Sequence, residues 1–503
     1  MSSEEYRTEA RLAGKRGLAV ILMVLAAGVC RADELDELVT LACSNSPAIL
    51  AAREETRQAE AARDAAGEFF DPVSTVAAGR LSGSAVTPLV AAPAGLPAAD
   101  AYGSAASVEV PLRPGVYAGA GVSEQYRVNP SDGIAPGYRT LVGAQLRIPL
   151  VQDRGFSLWR QKEVRLEDLR GAAVARQVET CQAVRHAVEL AYINYLVELA
   201  NAATAQLAGA RAGELLKEAE ELVRLKVVPE YQLAPARLES ALRREECRAS
   251  AQAIEVARVR LLQVVGSTPP APLTTNAEAL VARTAGLQLP SAALTAQTFE
   301  ARGAMSEIGA LTKAAAAESR LLEDRLRADL SLSVRGVWAA EDSTTETTPG
   351  LLSGDRASAA AVLVWTRPWS QTGDRARLRE SRAREARLVE MRRELLIRLN
   401  ADLAAARHEF DGARERLKEI TMAVEQARLT LEAESERFRL GEGRSRNVLD
   451  AQNDLTKAYR SRNAVVAALL KGHSDFMYAS GYGTGRNPGG GIHAPGGGTD
   501  GHQ

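Results

Sequence analysis

Rings are scarce in this chain. Only 4% of its 503 residues are aromatic, with seven Phe and four Trp, although 46% are apolar. Ala, Leu and Val carry that apolar share, and they favour helix over a ring-filled compact core. Cysteine is equally thin. Cys30, Cys43, Cys181 and Cys247 lie far apart and form no CxxC, and the five His show no repeated ligand spacing. That pattern gives no metal centre and no disulfide framework, and the cysteines read as small packed hydrophobes. A charge surplus is missing too: 62 basic and 63 acidic residues leave a net charge of −1. A nucleic-acid partner, which calls for a basic surface, is therefore not expected. No Gly-rich phosphate loop is present. These absences point away from an enzyme, and no cofactor is implied. After the N-terminus no run reaches eighteen apolar residues, so no ordinary membrane-spanning helix is expected. Membrane strands of roughly ten residues stay open.

What is present begins with an address. Arg7, Arg11, Lys15 and Arg16 precede the apolar run Leu18 to Val29, and small residues lead to Ala32 before the acidic Asp33, Glu34, Asp36 and Glu37. A basic segment, a short apolar one and a small-residue end predict a signal peptide over 1–32 and export of the rest.

The body reads as one pattern used twice, over 33–266 and 291–480, joined by a Pro-rich linker at 267–290 and followed by a Gly-rich tail at 481–503. In the first copy a helix is expected from Asp36 to about Phe69, stopped by Pro72. One strand falls within Val108 to Val128. A second is marked by Val142, Ala144, Leu146, Ile148 and Leu150 at period two. From Phe156 to Lys226 no proline interrupts an apolar stripe through Val174, Val178, Cys181, Val184, Val188, Tyr192, Tyr195 and Leu199. Its spacing of about 3.6 residues is helical. A break at Val227, Val228, Pro229 and Glu230 precedes a shorter helix to Val265. The second copy repeats this with a helix from Pro290 to Leu326, strands at Leu330–Val334 and Ala360–Trp369, an unbroken helix from Gly373 to Leu440, a Gly441-Glu442-Gly443 break, and a helix to Leu470. Pro149 and Pro368 stand in corresponding places, as a tandem duplication requires. The expected class is mostly α with a few membrane β-strands.

A helix of about 70 residues would be roughly 100 Å long. Four alternating strands cannot close a barrel alone, and open edges cannot remain in lipid. Sharing a barrel with identical copies resolves this, and three copies would supply twelve strands. A coiled-coil scaffold without a channel is the competing reading, with the strands misread loops.

One local stretch is more specific. Arg437-Phe438-Arg439-Leu440-Gly441-Glu442-Gly443-Arg444-Ser445-Arg446-Asn447-Val448-Leu449-Asp450-Ala451-Gln452 resembles the helix–turn–helix tip of the TolC-type outer membrane efflux protein family. Leu225-Lys226-Val227-Val228-Pro229-Glu230-Tyr231 is a weaker version without the turn glycine. Cys43-Ser44-Asn45-Ser46-Pro47 and Ile148-Pro149-Leu150 also resemble family elements. The resemblance implies a homotrimer in the cell outer membrane, with four strands per protomer in a shared 12-stranded barrel and a long coiled-coil α-helical tunnel in the periplasm. It implies a passive export duct of a tripartite efflux or type I secretion system, partnered by a periplasmic adaptor, an inner-membrane pump (RND or ABC type) and outer membrane lipid.

On that resemblance Arg439, Leu440, Gly441, Gly443 and Ser445, with Val227, Pro229 and Glu230 in the other tip, would meet the adaptor. A solvated turn with charged flanks fits the residues equally well. Asp450 would ring the channel entrance, with Asn447 where the family often carries a second carboxylate. A surface charge paired with a neighbouring Arg is the plain alternative, and Asp454 reads as a helix-face charge. Trp338, Trp365, Trp369 and Tyr126 lie near strand ends, where rings favour a membrane interface.

Overall fold

The computed structural model describes residues 33–81, 100–113, 115–129, 137–226, 229–267, 273, 275–284, 286–290, 299, 302–342, 357–440 and 442–481. The segment 1–32 expected to be a signal peptide, Val227, Val228, Gly441 and all but the first residue of the Gly-rich tail lie outside them.

The chain is mostly helical. In order it forms α1 (Asp33–Asn45), α2 (Pro47–Asp64), β1 (Val73–Leu81), β2 (Asp100–Leu112), β3 (Val116–Asn129), β4 (Gly137–Pro149), α3 (Ser157–Arg224), α4 (Leu233–Val265), α5 (Glu278–Ala282), α6 (Gly303–Arg325), β5 (Asp329–Asp342), β6 (Ala357–Thr366), α7 (Thr372–Arg439) and α8 (Ser445–Ser480). Both long helices, α3 and α7, have 68 residues, about 100 Å each at ~1.5 Å per residue. Each is followed by a short turn and a helix of 33 or 36 residues. The expected first helix is instead divided at the buried Ser46, because Pro47 has no N–H to give the preceding turn and suits the start of a new helix. No described helix is long and apolar enough to cross a membrane.

Two compact units divide the chain. The first comprises Met1–Glu55, Val174–Glu307 and Arg392–Gln503, the second Thr56–Ala173 and Ile308–Met391. The core of the first is aliphatic. Leu38, Val39 and Ala42 of α1 meet Val188, Tyr192 and Leu196 of α3, Leu261 and Val265 of α4, Leu280 of α5, and Val466 and Leu470 of α8. The scarcity of rings is thus built into the packing.

The second unit holds one antiparallel sheet in the order β1-β2-β3-β4-β5-β6. Among the described residues six strands stand where four were expected from sequence. One is β1, in a stretch rich in small residues. The other comes from division of the Val108–Val128 segment into β2 and β3, which pair directly through a turn where the Gly115 amide donates to the Leu112 carbonyl. Gly115 has φ +88°, and a Cβ there would lie 2.4 Å from the Gly155 Cα, so only glycine fits. Where the sheet meets its own helices, Phe69, Phe70, Tyr117, Phe156 and Trp159 form an aromatic cluster, and the Trp159 Nε1–H donates to the Ala66 carbonyl. That settles Trp159 in a packed position.

Candidate functional site

Within the first unit the two helical breaks share one apolar knot. Phe438, at the end of α7, is fully buried against Leu215 and Ala219 of α3, Leu233 and Ala236 of α4, and Val448 and Leu449 of α8. The two tips are therefore neighbours, held by a ring that sequence reasoning passed over although it lies inside the stretch quoted above. Burying such a side chain contributes roughly 1.5–3 kcal/mol.

At the distal tip the amides of Glu442 and Gly443 both donate to the Arg437 carbonyl, and the Leu440 amide to Glu436. This satisfies helix-end carbonyls that would otherwise be orphaned. Gly443 fits by proximity and not by a left-handed φ: an added Cβ would sit 3.0 Å from the Phe438 amide nitrogen, so a larger residue would have to push the end of α7 back by a few tenths of an ångström. Ser445 is buried at the base of the turn, out of reach of a docking surface. Leu440, by contrast, is 72% exposed. Arg439 is exposed too, its Nε and Nη2 donating to Glu218 of α3 and its Nη1 to Glu436.

The proximal tip ends differently. Lys226 occupies the left-handed region with φ +55°, the position glycine usually fills after a helix. Pro229 is extended and leads into the 3-10 turn Glu230–Gln232. Exposed Leu225 and Tyr231 join Leu440 in an apolar rim on the tips that was not singled out from sequence.

Below the tips α4 and α8 are tied by charge. Arg243 bonds Glu239 and Glu246 on its own helix and Asn453 on α8, and Glu246 is also paired with Arg460. Burial pushes the Glu246 carboxyl up, but Arg243 and Arg460 outweigh it, and its pKa lies below the ordinary 4.5.

Asp450 lies in the second turn of α8. Val448, Leu449, Ala451, Gln452 and Leu455 face the interior, while Asn447, Asp450, Asp454 and Lys457 are exposed. Their spacing of three, four and three residues puts them on one face, and none of them is ion-paired among the described residues. Among the described residues no group of three or more His, Cys, Asp or Glu is placed to hold a metal ion.

In the second unit, register sorts the sheet into two faces. Residues directly opposite in an antiparallel pair share a face. Val76↔Ala106, Ala106↔Val122, Val122↔Val142, Val142↔Trp338 and Trp338↔Ala357 run across all six strands. The same face carries Val108, Leu146, Leu332, Val334, Leu363 and Trp365, much of it exposed, and is interrupted by one polar row, Ser104, Glu124 and Thr140, next to the tyrosines. The other face carries Ser107, Glu109, Ser123, Gln125, Gln145, Arg147, Ser333 and Arg335, with Arg147 4.0 Å from Glu109 and 4.1 Å above the Tyr117 ring.

Rings mark its ends. Tyr102, Tyr126 and Tyr138 are directly paired in one row near the loop end, the last two rings 4.6 Å apart. Trp365 pairs with Leu330 near the other end, with fully exposed Trp369 just beyond it. The rows are about twelve residues apart in register, about 40 Å along the strands. Trp338 lies between them, opposite Val142, and belongs to neither row.

No protein-family model matches the sequence, and no curated protein matches it significantly. Solved structures do. The outer membrane protein VceC from Vibrio cholerae aligns over 89% of this chain and 96% of its own, with 16% identity and a TM-score of 0.63. The outer-membrane channel OprN aligns over 90% of each chain at 17% identity and a TM-score of 0.64. The open-state outer membrane channel MtrE from Neisseria gonorrhoeae covers 89% of this chain and 88% of its own at 15% identity and a TM-score of 0.62. Across this identity the likeness is one of fold: the chain has the fold of TolC-type outer membrane channels.

Proposed function

We propose that this protein is a passive export duct of the outer membrane. It would work as a homotrimer with a periplasmic adaptor and an inner-membrane pump that supplies the energy. The observation carrying this reading is the sheet: one face has an apolar row across all six strands, the other carries Glu109, Gln125, Gln145, Arg147 and Arg335 on its inner strands, and the outer edges of β1 and β6 have no partner among the described residues. Edges of that kind cannot stay open in lipid. Strand β1 leaves the helical side of the sheet and β6 returns to it, so β6 of one copy meets β1 of the next antiparallel, and a cyclic assembly closes the ring. Three copies close eighteen strands, in place of the twelve read from sequence, and barrels of 16–18 strands leave an aqueous channel. The apolar face would meet lipid, the polar face the lumen, and the rows containing Tyr126 and Trp365 the two interfaces, with Trp369 beside the second. At a strand tilt of about 35–45° their separation projects to about 30 Å, close to a bilayer core.

The exposed tip residues Arg439, Leu440, Pro229 and Glu230 are proposed to meet the adaptor, and Asp450 with Asn447 to line the entrance. A scaffold without a channel has no use for a sheet that is apolar on one face. Reconstitution of purified protein into planar bilayers tests the reading: discrete single-channel conductance from a trimeric species is expected, and a trimer without any conductance would sink it.

A further inference from the structure

The cysteines, scattered in the sequence, are not scattered in the fold. Cys43 on α1 and Cys181 on α3 are 138 residues apart, yet their Sγ atoms lie 3.3 Å from each other. Both belong to the first unit, both are half-buried, and Cys43 packs on its main core. We propose that Cys43 and Cys181 are a disulfide-forming pair that fastens the N-terminal helix α1 to α3.

The geometry needs little change. A disulfide brings the sulfurs to about 2.05 Å, and a closure of this size is within reach of side-chain torsions on two packed helices. Among the described cysteines the pairing is unambiguous, because Cys247 is engaged elsewhere. Its Sγ lies 3.3 Å from the Ala205 carbonyl and fills the space beside Gly209.

The environment assigns the two thiols different roles. Cys181 is drawn down to about 7, first by the hydrogen bond from Cys43 and then, against the cost of burial, by the charges of Arg185 and Arg53. The same hydrogen bond and burial push the Cys43 thiol up. With Cys43 donating the shared hydrogen bond, Cys181 is the attacking thiolate and Cys43 the resolving thiol; with the donor reversed the two exchange roles and the product is the same. The oxidant is a disulfide donor, either a small molecule or a thiol-oxidising protein of an oxidising compartment. The Cys181 thiolate attacks one donor sulfur, breaks the donor's S–S bond and releases its first thiolate. Cys43 then gives up its proton to that base and attacks the Cys181 sulfur, expelling the second donor thiolate. The protein loses two protons and two electrons, and the donor takes up both to become two thiols.

Without the bond, α1 is held by the contacts of Leu38, Val39 and Ala42 and by the Tyr192 hydroxyl donating to Glu34. The bond would close a long loop and restrict the unfolded chain accordingly. Only the cellular source of the donor rests on the export reading. The chemistry is tested on purified protein and stands or falls apart from conductance.

The full chain in detergent is treated with oxidised glutathione, alkylated, digested and examined by mass spectrometry without reduction. The expected product is a Cys43 peptide linked to a Cys181 peptide, two hydrogens lighter than the pair, with Cys247 alkylated. Its rate of formation should rise through about pH 7, and dithiothreitol should reverse it. The oxidised protein should melt roughly 5 °C or more above the reduced one. Cys247→Ser should keep the link and Cys181→Ser abolish it. Should that variant misfold, the wild-type peptide map alone decides. Alkylation of both thiols after donor treatment, glutathione left on either, or a link through Cys247 or to a second chain would overturn the proposal.

Discussion

Arg439 at the end of α7 grips Glu218 of α3, its Nε and Nη2 lying 3.3 and 3.2 Å from the same carboxylate oxygen. Both side chains are substantially exposed, so the pair is worth at most about 1 kcal/mol to folding. The charge is therefore free to serve recognition. Arg439→Glu faces Glu218 and Glu436 with a like charge, and adaptor crosslinking should fall several-fold while the trimer remains. Undiminished crosslinking would remove Arg439 from the docking surface. Lost crosslinking that Glu218→Arg restores would assign it to positioning α7 on α3.

The two faces of the sheet predict opposite tolerance. Val142 sits mid-strand on the apolar face, opposite Val122 and Trp338. An arginine there should cost about 2–4 kcal/mol if the face meets lipid. Val142→Arg should therefore lower the yield of membrane-inserted trimer. Gln145→Arg, three residues on and facing the other way, should insert normally and change single-channel conductance. Equal insertion of both variants would contradict the assignment of faces.

Acid should loosen the tie between α4 and α8. The Glu246 carboxyl titrates below its ordinary value in the folded chain because Arg243 and Arg460 hold its charge. The folded state then binds fewer protons than the unfolded one, so this stability is fully present above about pH 4.5 and is lost as pH falls through the folded pKa. Glu246→Gln should destabilise at pH 7 by about 1–3 kcal/mol. As pH falls through the folded pKa the deficit should shrink and the variant and the parent converge. Thermal melts from pH 7 into acid read the difference, and a deficit independent of pH would place its cause in packing.

The long helices were legible because nothing interrupts them: α3 and α7 carry no proline over 68 residues, and an apolar stripe runs from Val174 to Leu199 in α3. Strand β4 was legible because Val142, Leu146 and Ile148 alternate with larger polar side chains. Strands β1 and β2 were not. Their Ala, Gly and Ser residues are nearly as small on one face as on the other, which erases the period-two signal. The Pro114-Gly115 pair did mark the turn between β2 and β3 and was the overlooked cue. Phe438 hides in a polar stretch, and its burial depends on four helices meeting. The approach of Cys43 to Cys181 is a tertiary fact that no spacing along the chain encodes.

Asp450 carries the most direct test of the entrance. Its side chain is exposed and shares a helix face with Asn447 and Asp454, so threefold copies would turn the same carboxylates toward one axis. Two unit charges ~10 Å apart in water interact by only about 0.4 kcal/mol. The Debye length is also about 10 Å at 0.1 M salt. Selectivity from such a ring must therefore be modest, and it must fade as salt rises. Asp450→Ala should shift the reversal potential toward zero in a gradient of dilute salt, and Asn447→Asp should shift it the other way. Both shifts should vanish near 1 M, where the Debye length is about 3 Å. Variants indistinguishable from the parent in dilute salt would place Asp450 on an ordinary solvated face, away from the path of ions.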